Sequence, residues 1–68
     1  MTFEDVWKEV KGLPDTARIQ VPGVLSESTK MKMAELSPEE VSRIVLAAIE
    51  DVNNGSVEPL DKLIKSRL

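Results

Sequence analysis

The residue types that carry most enzyme chemistry are missing from this chain, which has no His, no Cys and no Tyr. Acid–base work would fall to carboxylates and lysines, and nucleophilic attack to serines with no evident base. The adjacent acidic pairs Glu39–Glu40 and Glu50–Asp51 fall in a helical stretch. Neighbours there point about 100° apart around the axis and do not converge on one substrate. Glu40 has a simpler role three residues after Ser37, at a helix start where acidic groups favour the dipole. Asp51-Val-Asn-Asn-Gly55 echoes a calcium loop, but its glycine comes one place early and no bidentate Glu follows at the required distance. Thiolate and imidazole metal ligands are absent, and the three scattered glycines build no phosphate loop. The residues therefore read as non-enzymatic, with no catalytic, cofactor-binding or metal-binding set and no evident small-molecule substrate.

The clearest element is a helix over 38–53. Ser37 is its N-cap, Pro38 takes the first helical position, and Glu40 can complete a capping box. Leu36 and Val41 stand at hydrophobic-staple positions, and Asn53-Asn54-Gly55 tolerate the left-handed backbone that stops a helix. Val41, Ile44, Val45, Ala48, Ile49 and Val52 form its apolar stripe. Leu46 lies more than about 100° from that stripe, which makes it a candidate interaction residue. A short connection predicts a helical hairpin with a last helix over 57–67, capped by Ser56.

Upstream, Thr2 can cap a helix over 3–11 whose apolar face is Phe3, Val6, Trp7 and Val10, ending near Gly12 and Pro14. Phe3 and Trp7 are the only aromatics, and they read as core anchors. Trp7 is also a candidate partner contact, because tryptophan is enriched at binding hot spots. Residues 16–21 alternate Ala17, Ile19 and Val21 with Arg18 and Gln20, the pattern of a half-buried strand. Pro22-Gly23 then suits the centre of a type II turn. Met31 and Met33 alternate with Lys30 and Lys32, predicting a second short strand over 29–34. The fold class expected is mainly α with a minor β element, a single small α+β domain over 1–68.

With 68 residues and no disulfide or metal staple, such a domain is marginally stable, and oligomerisation is the remaining device. A homodimer or another protein partner is expected. Net charge of −3 disfavours non-specific nucleic-acid binding. No apolar run reaches the ~20 residues of a membrane span, and the acidic start MTFEDVW is unlike a signal peptide. With no Cys, a cytoplasmic location is the expectation.

From Lys30 onward, the order of basic-alternating strand, capped helix, glycine turn and second helix resembles the ribbon-helix-helix repressors of the Arc and MetJ type. The resemblance covers residues 30–68. It implies a dimer whose paired strands enter the DNA major groove, with Lys30 and Lys32 facing DNA and Met31 and Met33 facing the dimer core. A narrower stretch, Val52 to Leu60, is similar to segments of small phage or mobile-element proteins, which implies an accessory or regulatory role. Two functional expectations result: a regulatory or accessory protein-interaction module, or a dimeric DNA-binding regulator.

Overall fold

Helix starts follow the caps closely. In the computed structural model, which describes residues 2–68, Thr2 Oγ1 accepts the Asp5 N–H at 3.3 Å while the Thr2 N–H donates to the Asp5 carboxylate. That capping box opens α1 (Phe3–Glu9). The helix ends two residues before the expected boundary because Val10 turns extended, with ψ 130°. The Ser37 hydroxyl accepts the Glu40 N–H at 3.3 Å, and Pro38 begins the long central helix, Pro38–Asn53. Beyond it Asn54 is the C-cap and Gly55 takes φ +97°, the left-handed backbone that favours glycine.

Both expected strands are helices, and the fold is all-α rather than α+β. Residues 16–21 belong to α2 (Asp15–Val24), and residues 29–33 belong to α3 (Glu27–Met33). No strand occurs among the described residues. In 16–21 the period-2 reading used Ile19 as an inward residue, but Ile19 is 79% exposed. The inward positions are Ala17 and Val21, four apart, followed by Leu25 at the C-cap, which is helical spacing. In 29–34 the buried residues are Thr29 and Met33, again four apart. The Ser26 hydroxyl caps α3 by accepting the Thr29 N–H, and Met, Lys and Ala favour helix intrinsically. An isolated ribbon strand had neither advantage.

Pro22-Gly23 forms no type II turn but the last turn of α2. This yields a sharp check. Gly23 is not among the positive-φ residues, and a Cβ added there meets nothing within 4 Å. Gly23→Ala is therefore expected to raise stability by about 0.4–1 kcal/mol in a denaturant titration. The third position of a type II turn would give a loss instead.

The last helix, α5, is shorter than expected. It spans Leu60–Lys65, and Pro59 rather than Ser56 is its N-cap. The residue before a proline is driven out of the helical region, so Glu58 cannot be the second residue of a helix that Ser56 starts. Ser56 instead accepts the Glu58 N–H in a local turn, and Val57 is left 97% exposed rather than on the apolar face.

The central helix, α4 (Pro38–Asn53), is the platform. It packs closely on α5 and α1, and α3 closes against α1 and α5. The core they share holds Val6, Trp7 and Val10, Met33, Val41, Val45, Ala48, Leu63 and Ile64, with Val21 and Leu25 entering from α2. The radius of gyration is 10.8 Å, against about 10.9 Å expected for a folded chain of this length. Surface area is 4482 Å², near the roughly 4,250 Å² of a folded monomer of this mass. One copy thus closes a core of its own.

Candidate functional site

Two polar joints fix the frame. The Ser42 hydroxyl of α4 donates to the Lys11 carbonyl at 2.7 Å, holding the chain after α1. The Ser26 N–H donates to Asp61 Oδ1 at 2.8 Å, holding the start of α3 to α5. That backbone bond is the main cause that keeps the Asp61 carboxyl below the usual carboxylate range. Thr29, fully buried beside this joint, is satisfied by the Ser26 hydroxyl at 3.0 Å. Lys65 reaches across to the Ser28 hydroxyl at 3.2 Å.

α2 is not among the most closely packed helix pairs. Residues of α2, α4 and the start of α5 line a cleft of about 640 Å³. Ala17, Val21 and Val24 line it from α2, Ile49 from α4, and Pro59, Leu60 and Asp61 from the start of α5. Val24 is 53% exposed, and the helical register puts it on the side of α2 shared by Ala17 and Val21. A concave, mostly apolar site with few polar groups is the usual form of a recognition surface. It offers shape and apolar contact, with Thr16, Gln20, Asn53 and Asp61 as its polar lining.

The four residues singled out from sequence fall in different places. Leu46 is half-buried on α4, three residues before Ile49 and seven before Asn53, both cleft-lining, so it extends the same flank. Trp7 is 8% exposed and stacks on Phe3 with centroids 5.6 Å apart. Its indole N–H donates inward to the Arg18 carbonyl at 3.0 Å. Lys30 is half-buried on α3, its ammonium 5.7 Å from the centre of the Phe3 ring. Lys32 is exposed on the same helix. The two lysines and two methionines thus do not form a ribbon. Met31 points out while Met33 is buried.

Val24, Ala17, Pro59 and Leu60 were not among the residues expected to matter. The spacing Ala17, Val21, Val24 was the available signal, hidden by the stronger-looking alternation through Ile19. Among the described residues no helix is long and apolar enough to cross a membrane. No family model, no curated protein and no solved structure matches the chain.

Proposed function

We propose that this chain is a small non-enzymatic interaction module, regulatory or accessory in role, whose cleft takes the apolar face of an amphipathic helix from another protein. The observation that supports this is the apolar cleft itself, lined by the exposed Val24 of α2 together with Ile49 of α4 and Leu60 of α5. Helix-in-groove recognition needs such a concavity, because three or four anchors at helical spacing must leave water together. Apolar area removed from water contributes about 25 cal/mol per Å² before the cost of association.

A display library of amphipathic helical peptides tests the reading without a known partner. Enriched peptides should carry apolar residues at i, i+3 or i+4, and i+7. Val24→Lys should remove their binding, and Leu46→Lys should weaken it. Val24→Lys should keep its fold, since exposed substitutions usually change stability by less than about 0.5 kcal/mol. The fold of Leu46→Lys, at a half-buried position, is verified by circular dichroism before binding is read. No enrichment, or binding indifferent to Val24→Lys, would overturn the proposal. Light scattering over a concentration range then identifies the occupant. A mass rising from the 7.5 kDa of one chain, and restored by Val24→Lys, makes it a second copy. A constant mass assigns the cleft to a different protein.

A further inference from the structure

α2, like α5, has a proline at its N-cap and no side-chain cap, but unlike α5 it also carries Pro22 and Gly23 within its last turn. A ten-residue helix of this composition has little stability of its own and depends on what holds it. Only Val21 along its length, and Leu25 just after it, are fully committed to the core.

Among the described residues, the polar ties between α2 and the other helices run through one pair of residues. Proline at 22 has no N–H, so the Arg18 carbonyl four residues earlier loses its helical partner. The Trp7 indole supplies the missing donor at 3.0 Å. In return the Arg18 guanidinium donates to the carbonyls of Val10 and Lys8 at the end of α1. Those carbonyls belong to the orphan set that every helix C-terminus leaves. The pairing is reciprocal, and it serves two helix ends at once.

Outside this catch and the apolar burial of Val21 and Leu25, the polar anchors described for the segment lie at its ends. Lys11 is held to Ser42 before it, and Ser26 to Asp61 after it. Gly12, at φ +88°, and the extended Leu25 lie just inside those anchors. From this arrangement we infer that residues 13–25 form a latched strap, which opens as a unit between two pinned ends with Trp7–Arg18 as the catch. Opening uncovers Ile49 and Leu60 on the platform and Val21 and Leu25 on the strap. The device is independent of what the cleft binds.

Native-state hydrogen exchange in low denaturant reads the strap directly. The amides of Ile19, Gln20 and Val21 should share one opening, at least about tenfold more frequent than that of Val45 and Ala48, with a smaller denaturant dependence. Trp7→Phe removes the indole donor and should speed α2 exchange about tenfold. Val41→Ala weakens the platform, which the opened state retains. It should therefore speed α4 exchange about tenfold or more while changing α2 by less than about twofold. Ser37→Ala, a milder loss at the same helix, repeats the test if Val41→Ala folds poorly. Exchange of α2 and α4 at one rate with one denaturant dependence would overturn the strap. So would equal acceleration of both helices by the platform variants. An unchanged α2 rate in Trp7→Phe would remove the catch.

Discussion

Met33→Ala is expected to lower the free energy of unfolding by about 2–5 kcal/mol, and Met31→Ala by less than about 0.5 kcal/mol. Met33 is fully shielded and heads the largest buried side chains of the core, whereas Met31 is 70% exposed. Truncating Met33 removes apolar contact and leaves a cavity among helices that pack from several directions and cannot all close on it. A chain of this length carries a total of roughly 3–10 kcal/mol, so the loss is a large fraction of what holds it folded. The pair also separates two architectures. On a ribbon strand Met31 and Met33 face the same side, and their truncations would cost similar amounts. On α3 they lie about 200° apart, and only one reaches the core. Chemical denaturation of the two variants, followed by far-ultraviolet circular dichroism, is the measurement. Equal losses would contradict α3.

The elements that were legible carried their own start signals. The Thr2–Asp5 capping box and the Ser37 hydroxyl, which accepts the Glu40 N–H in half of the expected box, satisfy orphan N–H groups locally, so their consequences do not depend on the rest of the fold. Where no such signal was recognised, a short apolar alternation decided the reading, and over six residues alternation is weak evidence. Ile19 shows why. It continued a period of two in sequence, yet it faces water because Ala17, Val21 and Leu25 supply the burial that α2 has to offer. Pro59 fell inside the helix expected over 57–67, and its effect on Glu58 moved the start to Leu60. The cleft was illegible for a different reason. Its lining comes from α2, α4 and the start of α5, and no local pattern encodes a concavity shared by three elements.

Trp7→Ala is expected to cost about 3–5 kcal/mol, and most of that cost has nothing to do with binding a partner. The ring is buried against Phe3, and its N–H completes the Arg18 carbonyl that Pro22 leaves open. A loss of partner binding in Trp7→Ala would therefore report unfolding. The polar part can be isolated by a double-mutant cycle. Trp7→Phe keeps most of the volume and removes the donor, at an expected cost of about 1–3 kcal/mol when the carbonyl is left without its partner. Pro22→Ala restores a backbone N–H four residues beyond Arg18, which can take that carbonyl by the ordinary helical bond. In the Pro22→Ala background the donor part of the Trp7→Phe cost should largely disappear, leaving a coupling of about 1 kcal/mol between residues 15 apart in sequence. Additive costs, measured by denaturant titration of the four proteins, would show that indole and proline act separately. A coupling of that size would show that the break in α2 and the tryptophan in α1 are one device. The proline opens a gap in one helix, and the indole of another fills it.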